Sequence, residues 1–539
     1  MLHHKKSAFL PLLLLVVVVS LFIQAIQPQD KKKQRPIDVD NADLIVHDEG
    51  IIANANRMLG HVSFSRDGAL MFCDSAYMYT DSKKFDTFGN VHIIQGDTLH
   101  LYGDKMYYDG DTKLARFVSN VKLIDKSITL TTQALDFNMG TNIGYYNNGG
   151  KIVDTTNVLT SIIGRYYSNE NMFFFKDSVV VTNKDFVLRA DTLKYNSLTE
   201  RAFIVGPTTI TGTKKDGVLY SELGWYDTKK NLAELFKASK ITSKSQILEA
   251  DTLLYDRASG NGRGKHRVTL SDTTNKVVIK GKIGVYNEKS KIAYVTDSAM
   301  FIQYGKKDTM YMHADTLRTR PDTSDIKRPD DKYFMAYKKV RFHKPDLQGE
   351  CDSLAYRMKD STLFMFIDPV LWSDINQLSA DKIQFISKKP DPSFARLETN
   401  AFIVMMEDSV KFNQISGKII VGQIFNSKLR IADVNGNAQS LYYLKDKNKY
   451  SGMNRLLSSK IKLHLSDKNQ IDSIRFYPKP EGKTIPIKEL TPEDTHLYGF
   501  SWRESEKPLS KFDLYPIDKK RKKNADPKKK SASDNNLAQ

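Results

Sequence analysis

Hydrophobic and polar residues alternate with a period of two in many short segments of the chain. In ADTLLYD, residues 250–256, Leu253 and Tyr255 would share one face of an extended strand. Alternation of this kind is typical of a half-buried β-strand. The phrase recurs as DKMYYD, ADTLKYN and CDSLAYR, where the paired positions are Met106 and Tyr108, Leu193 and Tyr195, and Leu354 and Tyr356. The pattern predicts an all-β chain, because amphipathic helix spacing is almost absent before residue 450.

The phrase D-x-apolar-x-aromatic returns about every thirty residues. Copies begin at Asp104, Asp191, Asp251, Asp352 and Asp381 and, loosely, at Asp74, and degenerate copies begin at Asp43, Gln133, Arg165, Glu222, Lys282, Asp315 and Gln439. One long step between copies contains RTRPDTSDIKRPDDKY, a polar stretch that is typical of a surface loop. A repeat of this length cannot bury its apolar face alone, so neighbouring copies are predicted to stack into a continuous β-array.

Each copy is predicted to contain two or three short strands separated by polar turns. The first Asp of the phrase is expected to cap a turn, since an Asp side chain can accept hydrogen bonds from the backbone amides that follow it. The Leu and the aromatic residue are expected to lie inside the stack. Aromatic residues make up 10% of the chain, which also favours β-structure.

Charge changes this picture only at the two ends of the chain. The formal net charge is +18, of which residues 1–35 and residues 518–539 each carry +5. The body is therefore mildly basic, and charge gives little support to nucleic-acid binding. Anionic lipids or glycolipids are equally plausible partners for the basic ends.

The signals for catalysis or metal binding are thin. The recurring Asp residues occupy the same place in every repeat, whereas catalysis needs one local pair. The eleven His residues are scattered and form no metal-binding motif, and GNGRGKH, residues 260–266, lacks the spacing of a phosphate-binding loop. Cys73 and Cys351 precede Asp-Ser in the same repeat position, so they are expected to lie many repeats apart and to form no disulfide. No catalytic residue, metal ligand or cofactor is predicted.

The repeats resemble the OstA/LptA-like family of lipopolysaccharide transport proteins. The resemblance rests on segments such as GDTLHLYGDKMYYDGDTKLARFVSNVKLID, residues 96–125, and covers roughly residues 40–445. The C-terminal segment LYGFSWRESEKP, residues 497–508, resembles the end of the long OstA-like proteins of Gram-negative bacteria. The resemblance implies an extended open β-jellyroll, or β-taco, whose apolar interior holds acyl chains and whose ends pair with other transport proteins.

The domain organisation follows from these features. Residues 1–36 are interpreted as a signal peptide or N-terminal anchor plus a basic linker, because a basic start precedes a long apolar run; cleavage and retention stay open. Residues 37–319 are expected to form OstA-like jellyroll repeats, 320–332 a polar loop and 333–450 further repeats. A C-terminal module is expected over 451–516 and a disordered basic tail over 517–539.

We therefore expect a non-catalytic periplasmic carrier or bridge for lipopolysaccharide, either anchored to the inner membrane or associated with the outer membrane. Its partners would be lipid A and other lipopolysaccharide-transport proteins joined by end-to-end strand pairing, with no nucleic acid. The residues expected to contact lipid on the inner face are Met106, Tyr108, Leu193, Tyr195, Leu253, Tyr255, Leu354 and Tyr356. The alternatives are a structural or adhesin-like β-repeat protein without lipid cargo and a surface enzyme acting on polysaccharide.

Overall fold

The structure, a computed structural model, describes residues 37–515 except 51, 214–216, 307, 323–331, 389, 391, 427, 448 and 468–470. The predicted signal or anchor segment, the basic tail and most of the polar loop at 320–332 lie outside the described residues. The chain divides into two compact units, residues 1–152 and 153–539, called here the first and the second unit.

The described residues confirm the predicted all-β jellyroll. Every strand pairing is antiparallel. The strands that begin in the first unit are β1 (Asp38–Asn41), β2 (Leu44–His47), β3 (Ala55–Arg66), β4 (Ala69–Tyr79), β5 (Lys84–Gln95), β6 (Leu99–Asp109), β7 (Leu114–Asp125), β8 (Ile128–Asn138), β9 (Ile143–Tyr146) and β10 (Gly150–Val153).

The second unit continues with strands of the same kind. Its first half contains β11 (Val158–Ser161), β12 (Ile163–Tyr167), β13 (Met172–Thr182), β14 (Phe186–Asn196), β15 (Arg201–Ile204), β16 (Thr208–Gly212), β17 (Val218–Ser221), β18 (Leu223–Asp227), β19 (Leu232–Lys237), β20 (Ser239–Ser243), β21 (Gln246–Ala250), β22 (Thr252–Asp256), β23 (Asn261–Asp272) and β24 (Val277–Asn287). Its second half contains β25 (Ile292–Tyr304), β26 (Thr309–Pro321), β27 (Lys332–Lys344), β28 (Leu347–Arg357), β29 (Thr362–Phe366), β30 (Val370–Ser373), β31 (Asn376–Ser379), β32 (Lys382–Ile386), β33 (Ser393–Met406), β34 (Phe412–Phe425), β35 (Lys428–Asp446), β36 (Lys449–Leu465), β37 (Ile471–Tyr477) and β38 (Glu481–Pro486). Six short 3-10 helices lie among the described residues, at Ser168–Glu170, Met358–Asp360, Ile487–Glu489, Pro492–Thr495, Glu504–Glu506 and Lys511–Leu514.

Most long strands bend at a corner in their middle. At the corner, one of the two strands of a repeat has two consecutive residues with left-handed backbone angles, such as Gly89 and Asn90 in β5. The register shifts by one residue at this point, between Phe88 and Val91. Such β-bulges bend a strand, so each half of the strand joins a different half-sheet. A repeat of about thirty residues thus supplies two bent strands.

The first Asp of the repeated phrase lies at this corner and caps no turn, so the sequence interpretation of that residue was wrong. The carboxylates of Asp191 and Asp352 accept hydrogen bonds from the neighbouring hydroxyls of Thr192 and Ser353. In five other copies the carboxylate accepts a hydrogen bond from the side chain of the second residue of the left-handed pair on a neighbouring strand. These bonds join Asp43 to His61 (2.8 Å), Asp74 to Asn90 (2.9 Å), Asp104 to Asn120 (2.7 Å), Asp251 to Arg267 (2.8 Å) and Asp381 to Asn400 (3.1 Å). The repeated Asp therefore stabilises the bend of the strand.

The Asp or Asn that directly follows the aromatic residue of the phrase caps a turn, the role that was expected of the first Asp. Asp256 Oδ1 accepts from the backbone nitrogen of Ala258 at 3.0 Å, and Asn196 Oδ1 accepts from that of Thr199 at 2.9 Å. Asn138 and Asp109 make equivalent bonds in the first unit. Asp and Asn suit this position because their short side chains reach the backbone two or three residues ahead. The Asp that begins the phrase and the Asp or Asn that follows its aromatic residue thus both have structural roles.

The core lies between the two half-sheets. Alternate residues point inward on both sides of each corner; in β13, for example, Phe173 and Phe175 are buried before the bend, and Val179 and Val181 after it. Burial of a side chain of this size stabilises a fold by about 1.5–3 kcal/mol. The continuous series of such residues supplies most of the stability that single repeats lack.

Substitution of Gly89 should test the corner. We expect Gly89→Ala to lower the free energy of unfolding by about 1–3 kcal/mol, because φ is +76° and a Cβ would lie 2.3 Å from Asp74 Oδ2. Gly96→Ala is the matched control, since Gly96 has a φ of +62° but no atom within 4 Å of its Cβ position. Urea unfolding of both variants measures the difference, and equal losses would show that the contact with Asp74 is unimportant.

The last described segment forms no strand after β38. Residues 487–515, called here the strap, run back along β34, β31 and β27 and bond to their side chains. Phe500 and Trp502 of the strap pack on Phe412 with ring centroids 5.4 and 5.1 Å apart. The boundary expected at residues 450 and 451 falls inside β36.

Candidate lipid-binding groove

The structure places seven of the eight proposed lipid-contact residues in the core between the half-sheets. Met106, Tyr108, Leu193, Tyr195, Leu253, Tyr255 and Leu354 are buried. Tyr356 is half-buried. Their shared inner face agrees with the period-two pattern. Contact with an acyl chain stays a prediction.

The core around these residues is closely packed. Phe85 stacks between Phe64 and Tyr108 in the first unit, with ring centroids 4.9 Å from each. In the second unit, a Cβ added to Gly262 would lie 3.2 Å from Ile241 Cδ1 of the facing half-sheet. An acyl chain could therefore reach the inner faces only if the half-sheets separated locally.

The ends of the two half-sheets meet along the side opposite the corners. In the second unit, polar side chains of the strand-end turns bond across this line, which we call the mouth seam. Asn157 lies near its start and donates through Nδ2 to the hydroxyls of Tyr195 and Thr228, both at 3.1 Å. Thr156 donates to Glu200 at 2.8 Å, and Tyr195 donates to Asp154. These residues join turns from opposite half-sheets.

Glu288 forms the centre of a second group in the mouth seam. Its carboxylate accepts from the hydroxyl of Ser243 at 2.7 Å, the phenol of Tyr255 at 2.8 Å and the backbone nitrogen of Gly217 at 3.0 Å. Further along the seam, Lys332 Nζ donates to Asp272 Oδ2 at 2.7 Å. Tyr195 and Tyr255 of the repeated phrase thus bury their rings in the core and use their hydroxyls in the seam.

The seam sets the ionisation of its carboxyl groups. Partial burial disfavours the charged form of Glu288, but the bonds from Ser243, Tyr255 and Gly217 outweigh it and hold the pKa of Glu288 below its usual value. Asp272 behaves alike: burial opposes ionisation, and Lys332 and Asn275 bring its pKa below the usual value. Burial, with the bond to Asp154, raises the pKa of Tyr195. Folding therefore favours the ionised carboxylates of Glu288 and Asp272 and the neutral phenol of Tyr195.

Acid should weaken the mouth seam. A carboxyl group whose pKa is lower in the folded state stabilises the fold above its unfolded pKa, and this contribution is lost as pH falls through the folded value. For Glu288 the usual value is 4.5, so we expect the urea midpoint to fall as pH drops below about 4.5. Glu288→Gln should reduce this dependence on pH, whereas Glu249→Gln on the sheet surface should leave it unchanged. An identical pH profile in both variants would contradict the role of Glu288.

The mouth of the first unit contains an apolar cleft. Phe64, Met71, Phe85, Tyr108 and Met139 line its walls. Its cavity volume is about 40 Å³. Such a volume is well below the usual range of ligand pockets, about 300–1,000 Å³. One of the proposed lipid-contact residues, Tyr108, lines this cleft and is buried.

The rim of this cleft is charged. Arg66 donates through Nη2 to the carbonyl oxygen of Gly110 at 3.2 Å, and its guanidinium lies 5.9 Å from the centroid of the Tyr108 ring. Lys113 Nζ bonds Asp67 Oδ2 at 2.8 Å. These bonds join turns of opposite half-sheets, as the seam bonds of the second unit do.

Sequence reasoning missed Arg66, Lys113 and the seam carboxylates. Tyr255 and Glu288 are 33 residues apart, and neither the period-two pattern nor a local motif connects them. Most of the glycine-rich segment 260–266 belongs to β23, with the corner at His266 and Arg267. Cys73 and Cys351 are buried free thiols, and burial raises the pKa of each to about 12. Among residues that the structure describes, no three potential metal ligands cluster.

Comparison with known families decides the affiliation of the chain. The model of the family described as "OstA-like protein" matches residues 34–191 and 213–311. The chain belongs to the OstA-like protein family. The matched segments of this OstA-like protein include the cleft and most of the mouth seam. No curated protein matches the chain.

The OstA-like family is associated with lipopolysaccharide and lipid transport and is not a family of enzymes. Its members are periplasmic proteins of Gram-negative bacteria. Within the described part of this OstA-like protein, no helix has the length and hydrophobicity needed to cross a membrane.

Proposed function

We propose that this protein is a non-catalytic periplasmic carrier or bridge that moves lipopolysaccharide from the inner to the outer membrane. The observation that carries the proposal is the repeated inner face: successive copies of the phrase place an apolar and an aromatic side chain between the half-sheets, as Leu193 with Tyr195 and Leu253 with Tyr255 do. Acyl chains are kept out of water most effectively by a continuous apolar surface, at about 25 cal/mol per Å².

Carriage requires the mouth to part where the cargo lies. The half-sheets are joined through bent strands on the corner side and through polar side chains on the mouth side, as at Glu288. Such bonds add little net stability because water can replace them, about 0.5–1.5 kcal/mol each. A few of them can break without disturbing the backbone ladders. The acyl chains would then replace the contacts that the inner side chains now make with one another.

The N-terminal edge offers a surface for a transport partner. Among the described residues, β1 and β2 pair only with β3, so each has an unpaired edge. Leu44 and Ile45 of β2 are 52% and 54% exposed. An exposed edge with apolar side chains can add a strand from another protein. We propose that a further lipopolysaccharide-transport protein pairs here and extends the groove.

Two experiments on the full-length protein test the carrier function. Mass spectrometry of the protein purified from its native envelope should show bound lipid A, and a lipid-free spectrum would favour a structural repeat protein. Depletion of the protein should leave lipopolysaccharide at the inner membrane. Loss of a polysaccharide-degrading activity on depletion would instead overturn the non-catalytic assignment.

A further inference from the structure

Residues 508–515 of the strap, called here the strap end, expose apolar side chains to solvent. Leu509 is 73% exposed, Phe512 is 77% exposed and Tyr515 is 42% exposed. The three residues recur at every third position, and the last 3-10 helix lies between the first and the third of them. Side chains three residues apart lie on the same side of a 3-10 turn. Neighbouring apolar side chains on the surface of a soluble protein often mark an interaction site.

The opposite side of the strap end is fixed to the sheet. Leu514 is buried, Arg341 Nη1 donates to the carbonyl oxygen of Asp513 at 2.5 Å, and His343 Nδ1 bonds a second carbonyl oxygen of the strap end at 3.0 Å. Arg341 and His343 alternate along β27 with the buried Phe342, so the strap end lies on the face of β27 that points away from the inner core. The three exposed side chains therefore project from a held backbone into solvent.

Positive charge lies beside these apolar side chains. Lys511 Nζ is 5.1 Å from the centroid of the Phe512 ring and 5.6 Å from the centroid of the Tyr311 ring. The carboxylate of Asp513 accepts a hydrogen bond from the hydroxyl of Ser510 at 2.9 Å. The ammonium group thus stays next to the exposed aromatic ring and is not paired with this carboxylate.

The sequence after the strap end adds a dense run of positive charge. KKRKK occupies residues 519–523, called here the basic run, and residues 518–539 carry a net charge of +5. Lys519 follows Tyr515 by four residues, and four residues of chain span at most about 14 Å. The basic run can therefore reach the same surface that the strap end would contact.

Apolar and basic groups in this order fit an anionic lipid surface. Apolar and aromatic side chains enter the boundary between the headgroups and the acyl chains, and nearby lysines attract anionic headgroups. Stable attachment needs two such signals, because one alone is marginal. Three side chains are too few for the roughly 800 Å² that each partner buries in a stable protein interface, whereas insertion into a lipid layer requires no complementary partner surface.

We propose that the strap end and the basic run attach this protein to an anionic phospholipid surface. Leu509, Phe512 and Tyr515 enter the headgroup boundary, and Lys511 and the basic run bind the lipid phosphates. The attachment site lies on the outer face of the sheet and uses no residue of the inner core. It therefore goes beyond the carrier function and does not depend on it.

A fluorescent dye at position 512 tests the attachment in the full-length protein. Phe512→Cys is labelled with a nitrobenzoxadiazole dye, whose emission rises when the dye leaves water; Cys73 and Cys351 are buried and should not react. Vesicles of an equimolar mixture of phosphatidylglycerol and phosphatidylcholine should raise the emission, and vesicles of phosphatidylcholine alone should not. The dye reports only on its own position, so membrane contacts made by other parts of the chain do not contribute.

Leu198→Cys with the same dye is the matched control for position. Leu198 is 72% exposed and lies on the turn between β14 and β15, so its label should stay in water with both kinds of vesicle. Equal responses at positions 198 and 512, or equal responses of position 512 to anionic and neutral vesicles, would overturn the proposal.

Further changes in the labelled protein separate the basic and the apolar parts of the site. Replacement of all five residues of the basic run by Gln should weaken binding to the anionic vesicles at least about tenfold, because each charge near a lipid surface contributes. Leu509→Ser should weaken it about tenfold through the loss of one inserted side chain, whereas Leu198→Ser, which removes an equally exposed Leu, should leave it unchanged. Undiminished binding after either change to the site would overturn the role of that part.

The outcomes distinguish this inference from the carrier function. If lipid A co-purifies with the protein but the dye at position 512 stays in water with both kinds of vesicle, membrane attachment fails and carriage stands. If the dye enters anionic vesicles but depletion leaves lipopolysaccharide transport intact, carriage fails and attachment stands.

Discussion

Replacement of Leu253 by Ala is expected to lower the free energy of unfolding by about 2–5 kcal/mol, the usual cost of a large-to-small change in a packed core. Leu253 is fully buried between the half-sheets. Its neighbour Leu254 is 41% exposed on the opposite face of β22. Leu254→Ala removes the same atoms from the same strand and should change the stability by no more than about 0.5 kcal/mol.

Urea unfolding of the two variants measures this contrast directly. A repeat array unfolds as a series of coupled units, so the loss should be largest in the transition that includes β22 and its neighbours. Hydrogen exchange of the β19, β22 and β23 amides would locate it. If Leu253→Ala and Leu254→Ala were equally destabilising, the inner face would not be the one that the period-two pattern predicts.

That pattern predicted the inner face because a strand leaves the side chain only two directions. Leu253 and Tyr255 fall on one side and Leu254 on the other whatever the partner strand is. The repeat length was equally visible, since stacking places equivalent residues in equivalent environments. The family resemblance added the jellyroll, which alternation alone does not distinguish from other β-arrays.

The corners could be predicted only in part. Gly89 with Asn90 is a sequence that favours left-handed backbone angles, and it could have indicated a bend. Lys338 and Lys339 adopt the same angles, yet nothing in a pair of lysines favours them. Packing of the repeats on both sides imposes the bend there. The first Asp was assigned to a turn because short-range rules consider its own backbone, whereas its partner lies on the next strand.

The charged sites were beyond sequence reasoning for a related reason. Arg66 and Gly110 are 44 residues apart, and they meet only because two bent strands bring their ends together. Glu288 follows the turn-capping Asn287, so it could be taken for one more exposed turn residue. What distinguishes these residues is the side of the jellyroll on which they lie, and that depends on the corner.

The second change from which we expect a large effect is the release of the strap, residues 487–515. Gln377 and Gln414 are almost fully buried, and each side-chain amide bonds the strap backbone as a strand would. Gln414 donates to the carbonyl of Thr495 and accepts from the nitrogen of Leu497, both at 2.8 Å. Gln377 bonds Ser501 and Arg503 in the same way, both at 2.7 Å. The strap is thus held by side chains, since it pairs with no strand in the described residues.

The double variant Gln377→Ala, Gln414→Ala is expected to release the strap. Each change leaves a strap N–H and C=O without partners, at a cost of about 1–3 kcal/mol per site. Amide exchange over residues 487–515 should accelerate at least about tenfold, which corresponds to 1.4 kcal/mol, and trypsin should cleave within the strap. Gln423→Ala on β34 is the control, because its side chain makes no bond to the strap. Normal protection of the strap in the double variant would mean that the packing of Phe500 and Trp502 on Phe412 is sufficient to hold it, and that the two glutamines serve β31 and β34 instead.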